Sequence, residues 1–195
     1  MSEPRWLLLL HQIPRTPEYL RVKIWRRLRR LGAVSIKNAV YALPRSEERN
    51  EDLQWIMREI VAGGGEATLV VANLVQGLRD DEVEALFDVA RDADYEELAV
   101  QIRASAKRVP RRGALGEEAR RKLEAELERH QRRLEEIAAI DFFHAPGRET
   151  AAGLLEALQR RVAREPDATT TTSGWRGRGG AVRSAVRGVR AQARR

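Results

Sequence analysis

The chain has 195 residues, no cysteine and a formal net charge of +7, with 36 Lys and Arg against 29 Asp and Glu. Without cysteine, disulfides, thiol catalysis and thiolate zinc sites are excluded, and a hydrophobic fraction of 43% excludes a wholly disordered chain. No stretch is long and apolar enough for a signal peptide or a transmembrane helix, so a cytoplasmic protein with no membrane partner is expected.

The charge is unevenly placed. Residues 174–195 hold seven arginines and no acid, which leaves residues 1–173 neutral. Within that body, residues 16–32 carry six basic side chains against Glu18, and the chain beyond them is acidic. A basic helix and a basic tail around an acidic middle suit a polyanionic partner.

In chain order, Trp6 to Leu10 is an apolar run that reads as a buried strand. Thr16 as cap, Pro17 at the first helical position and Glu18 in the first turn open a helix that Gly32 stops. Leu20, Ile24, Leu28 and Leu31 form its core stripe, with Trp25 partly buried at the edge. Ala33 to Leu43 reads as a second strand region in which Lys37-Asn38 permits a bulge or a tight hairpin. Ser46 caps a second helix that buries Leu53, Ile56, Met57, Ile60 and Val61 and stops at Gly63 to Gly65. Ala67 to Val75 is a third β-branched strand segment.

From Leu78 onward the pattern is helical. Asp80 or Asp81 caps a segment whose Val83, Leu86, Phe87, Ala90, Leu98 and Ile102 give apolar faces as far as Lys107. After a break at 110–116, residues 117–140 form a charged helix. Its Leu123, Leu127, His130, Leu134 and Ile137 keep heptad spacing for only about two heptads, so an intramolecular antiparallel helix pair is preferred to a coiled coil. DFFHAPGRE (141–149) reads as an aromatic loop turning at Pro146-Gly147, before a last helix from Thr150 to Arg164.

The order strand, helix, strand or hairpin, helix, strand predicts an α+β protein. Its parts are a ferredoxin-like β-α-β-β-α-β core over 4–77, a helical extension over 78–165, and a disordered Arg/Gly-rich basic tail over 166–195.

Arg21, Lys23, Arg26, Arg27, Arg30 and Lys37 are the candidate nucleic-acid contacts, because clustered cations release the counterions of a phosphate backbone. The plainer alternative is a solvated helix face. The three histidines, His11, His130 and His144, lie on different elements, and Asp80-Asp81 and Asp92/Asp94 read as caps and solvated faces. No Ser-His-Asp pattern, H-E-x-x-H, Walker loop or G-x-G-x-x-G occurs, so no catalytic residue, metal or cofactor is expected.

Several collinear segments carry a family resemblance: WLLLLHQIP, YLRVKIWRRLRRLGAVSIKNAVYALP, DLQWIMREIVAGGGEA, LFDVARDADYEEL and DFFHAPGRE. Over residues 5–164 they resemble the N-terminal domain of ChrB, the bacterial chromate-resistance regulator. The resemblance implies a non-catalytic, DNA-binding transcriptional regulator acting at the operator of a chromate-efflux operon. Such proteins continue into a C-terminal chromate-responsive domain, of which only GWRGR (174–178) resembles the start. Sensing then falls to a separate chromate-responsive protein, or the chain is a stand-alone paralogue or a truncated form. The strand-helix-strand order is also similar, more distantly, to the core of small CRISPR-associated nucleases and of PaaX-type repressors. The nucleases carry an acidic residue after the first strand, where this chain has His11-Gln12. A homodimeric interaction protein, or a nuclease-like ferredoxin-fold protein, are the competing functional readings.

Overall fold

The computed structural model describes residues 5–16, 18–110 and 115–164. Pro17 and the expected disordered tail lie outside them. The elements are β1 (Trp6–Gln12), α1 (Glu18–Arg30), β2 (Val34–Lys37), β3 (Val40–Pro44), α2 (Glu47–Ala62), β4 (Glu66–Ala72), α3 (Asp80–Ala106), α4 (Glu117–Ala139) and α5 (Gly147–Arg164).

The four strands form one sheet in the order β2-β3-β1-β4, and every neighbouring pair is antiparallel. Each of α1 and α2 therefore carries the chain past one intervening strand, which is the split plan expected of a ferredoxin-like core. β1 is paired on both sides, with Leu9 opposite Tyr41 in β3 and Leu69 in β4. That central position explains why its sequence is almost continuously apolar. Leu7 and Leu9 join the stripes of α1 (Leu20, Ile24, Leu28) and α2 (Leu53, Ile56, Ile60) in one core. Trp6 points to the opposite face of the strand. There its ring stacks on Phe87 of α3 with centroids 6.0 Å apart, and Phe143 lies 6.2 Å away. Trp6 Nε1 also donates to Asp80 at 2.6 Å. The sheet and the helical extension are thus joined through one indole.

The Lys37-Asn38 break becomes both a hairpin and an irregularity, since the β2–β3 register shifts between Ser35 and Lys37. Ser46 caps α2 by accepting from Arg49 N. Several expectations need correction. Val61 is 56% exposed rather than core, because it falls beside the buried face of α2. β4 ends at Ala72, and Val75 beyond it is 96% exposed. Asp80 receives the Trp6 indole, and the backbone N–H of Arg79 is satisfied by the Glu82 carboxylate instead. α5 begins at Gly147 rather than Thr150, with the Gly147 N–H donating to Asp92 at 2.7 Å.

The extension packs on itself. Asp94 at the middle of α3 meets Arg133 late in α4, while Ser105 at the end of α3 meets Glu126 and His130 earlier in α4, so these two helices are antiparallel. Leu123 and Ile137 of the heptad seam are buried in this second core together with Tyr95, Leu98 and Ile102. The apolar seam is therefore used within the chain. Asp92 and Asp94 are not solvated as expected: Asp94 is only 5% exposed. Arg91 of α3 bonds it at 2.9 Å, Arg29 of α1 at 3.1 Å, and Arg133 of α4 lies 3.9 Å away. This carboxylate ties the basic helix to two helices of the extension.

A second polar lock joins α3 and α4. Ser105 Oγ donates to Glu126 at 2.9 Å and lies 3.0 Å from both His130 Nε2 and Arg108. An ionised carboxylate only accepts, so the single serine proton is committed to Glu126 and the imidazole Nε2 must donate. The serine is not activated by the histidine, and the trio serves packing. The Arg108 hydrogen bond holds the Glu126 carboxyl below its ordinary range, and burial pulls His130 down from 6.5.

Three outcomes are expected in chemical denaturation. Phe87→Ala should cost about 3–5 kcal/mol through the cavity it leaves, whereas Trp55→Ala, at a side chain 62% exposed, should cost far less. Asp94→Asn should cost about 3–5 kcal/mol, because Arg91, itself 4% exposed, would be left buried with a neutral partner. Finally, a histidine with a depressed folded-state pKa binds fewer protons folded than unfolded. Stability should be full above about pH 6.5 and fall as the pH drops below it. His11 is depressed by burial too and acts in the same direction, so His130→Gln should remove only part of that decline. A pH-independent stability between pH 7 and 5 would contradict this.

Candidate nucleic-acid interface

α1 buries Leu20, Ile24 and Leu28 and leaves all of its basic side chains exposed. The helical period sorts five of these cations into three groups with different surroundings, with Arg21 apart from them. On the flank toward α2, Lys23 and Arg27 share the carboxylate of Glu59, with Arg27 Nη1 2.6 Å from it and Lys23 on its other oxygen. On the flank toward the extension, Arg29 is held by Asp94 and lies over the Trp25 ring at 5.1 Å. Arg26 and Arg30 form no ion pair among the described residues. They lie on the outward face, one helical turn apart, in line with Tyr19 and Val22, which are 68% and 40% exposed.

The outward face is an open groove lined by Tyr19, Val22, Lys23, Arg26, Arg27 and Arg30, with Glu18 at its start. The flank below it differs: Arg29 and Arg133 there are interleaved with Asp94, Glu97 and Glu136, and Arg26 and Arg30 border both surfaces. A polyanion meets net positive charge on the first surface and mixed charge on the second. Thus four of the expected contacts, Lys23, Arg26, Arg27 and Arg30, share one face. Arg21 lies on another flank, 4.0 Å from Glu18. Lys37 is exposed in the β2–β3 hairpin, two residues before Ala39, which lines the same pocket as Arg21.

Sequence reasoning missed Tyr19 and Val22, although their position opposite the Leu20–Ile24–Leu28 stripe was a usable signal. It also missed Glu59, whose role in holding Lys23 and Arg27 no local pattern shows, because it comes from another element. Trp25, expected at a partly buried edge, is 46% exposed.

The Arg21 flank borders an open pocket of about 390 Å³ between the end of β1, the hairpin and α1. His11 stacks on Tyr41 with ring centroids 5.6 Å apart and an interplanar angle of 18°. Its backbone N–H donates to Ala39 O at 2.9 Å, and its Nδ1 is buried without a hydrogen-bond partner. His144 stands elsewhere, in the loop before α5, with a positive φ of 64°. No group of three or more His, Asp or Glu among the described residues is placed to hold a metal ion, and none of their helices is long and apolar enough to cross a membrane.

With this geometry in place, comparison with known proteins adds three findings. The family model described as Protein ChrB, N-terminal, matches residues 21–169. Protein ChrB of Cupriavidus metallidurans is 26% identical over 141 residues, which cover 72% of this chain and 41% of that protein. The match therefore spans less than half the length of that relative, and no solved structure matches. The family match covers α1 from Arg21 onward and every later element of the fold, and the chain belongs to the ChrB N-terminal family.

Proposed function

We propose that the chain is a non-catalytic DNA-docking regulator linked to chromate resistance, and that the outward face of α1 rests on the phosphate backbone. The observation that carries this reading is that Arg26 and Arg30 are exposed, free of acidic partners among the described residues, and aligned with Lys23 and Arg27 along one groove. An unpaired guanidinium is available to a phosphate without first losing an internal partner, and its contact releases condensed counterions. Tyr19 adds a hydroxyl suited to a sugar or phosphate oxygen. The partner in this reading is operator DNA of a chromate-efflux operon. The family membership supports the regulatory link.

A second reading, a homodimeric interaction protein, draws on a different feature. Among the described residues β4 is an edge strand of seven residues, paired only with β1, and Val71 on it is 49% exposed. Open edges of this kind template pairing with another chain. A chain that elutes as a dimer and gives no gel shift with its own upstream DNA would favour that reading.

The test of the docking face is the salt dependence of binding to a duplex carrying the upstream region. Arg26→Ala combined with Arg30→Ala should lower the log-log slope by about two units, roughly 0.9 per lost contact. Lys23→Ala should lower it less, because Glu59 already shares that charge. Glu59→Gln should tighten binding by releasing Lys23 and Arg27. Unchanged affinity and slope in the double variant would remove α1 as the docking surface.

A further inference from the structure

We propose that the pocket between His11, Arg21, Trp25 and Tyr41 binds a single nucleotide, with a heteroaromatic base stacked between its aromatic walls and the phosphate on Arg21. This site is distinct from the outward face of α1, and the inference does not depend on duplex docking.

The walls set the shape of the ligand. The indole of Trp25 is 46% exposed on the α1 side, with Arg29 over one of its faces, and the stacked His11–Tyr41 pair lines the same cavity. Aromatic faces left open to a cavity take up a planar ring, and base stacking does so with little preference among bases. The volume, about 390 Å³, lies within the range of small-molecule sites, about 300–1,000 Å³.

The polar groups narrow the chemistry. Burial lowers the pKa of His11, so near neutral pH the ring is uncharged and presents a neutral face to a stacked base. Gln12, which also lines the pocket, offers both a donor and an acceptor in its amide. A ring with nitrogen donors and acceptors on its edge matches this amide. An aromatic carboxylate would satisfy Arg21 and Trp25 but leave the amide unmatched. Arg21, also in the lining, is held among the described residues only by Glu18 at 4.0 Å, which leaves it able to turn to a phosphate.

The backbone supports the same reading. Ala39, in the hairpin at the rim, has φ of 127°, a conformation that an L-residue rarely adopts. Its carbonyl accepts the His11 N–H at 2.9 Å, which fixes the hairpin against the end of β1. Strain of this kind persists where the surroundings enforce it, and it clusters at ligand sites.

The ligand has two sources with the same chemistry, a free mononucleotide or the unpaired terminal nucleotide of a strand. Calorimetric titration of the full chain with adenosine and cytidine 5′-monophosphates, and separately with a 5′-phosphorylated single-stranded tetranucleotide, separates them. Saturable binding of a mononucleotide, weakened about tenfold or more by Trp25→Leu and by Arg21→Gln, supports the site with a free ligand. Binding of the tetranucleotide alone, with the same sensitivity, supports it with a strand end. Both side chains are about half exposed, so far-UV circular dichroism should show unaltered folds. Arg26→Ala with Arg30→Ala should leave nucleotide affinity unchanged, so a failure of duplex docking and a failure of this site are told apart. No saturable binding of either probe, or binding that both pocket variants retain, overturns the proposal.

Discussion

A single buried carboxylate organises the charge of this molecule. Asp94 is bonded by Arg91 on its own helix and by Arg29 on α1, and Arg133 approaches from α4. A lone carboxylate in that setting would be strongly disfavoured, and a lone Arg91 equally so. Together they hold only because three elements meet there. Gly32 completes the junction, since a Cβ at that position would stand 2.8 Å from the Ile140 side chain and 3.2 Å from Arg91 Nη1. The basic helix is consequently fixed to the extension, and its free cations face outward in a set direction.

That constraint gives the arginines of α1 different roles although they look alike in sequence. Arg29 is drawn into the junction, Lys23 and Arg27 are shared with α2 through Glu59, and Arg26 and Arg30 form no ion pair among the described residues. Asp94 and Glu59 thus neutralise the flanks and leave the outward stripe positive. A partner that docks by charge meets a narrow track rather than a uniformly basic cylinder.

The sheet was legible because its signals are local. Apolar runs, the Ser46 cap, the glycine stop and the Lys37-Asn38 interruption each report on a few neighbouring residues, and the order of elements then implied the split plan. The basic helix was legible for the same reason. The partners of its side chains were not, because Glu59 and Asp94 lie on other elements and no periodicity of α1 points to them. Trp25 shows the same limit: its place at the edge of the stripe suggested partial burial, yet it stands 46% exposed beside the pocket with the Arg29 guanidinium over its ring. His11 was visible as a histidine at a strand end, but its stacking on Tyr41 required the β1–β3 register.

The central claim is that one face of α1 lies against DNA, and the absence of cysteine makes a direct test simple, since any introduced thiol is unique. Val22→Cys places a label on the outward stripe, and Gln159→Cys places one on an exposed position of α5. With an iron chelate attached at each site in turn, hydroxyl-radical cleavage of bound duplex is measured. The account expects localised cleavage from position 22 and none above background from position 159. Cleavage from position 159 with none from position 22 would contradict it.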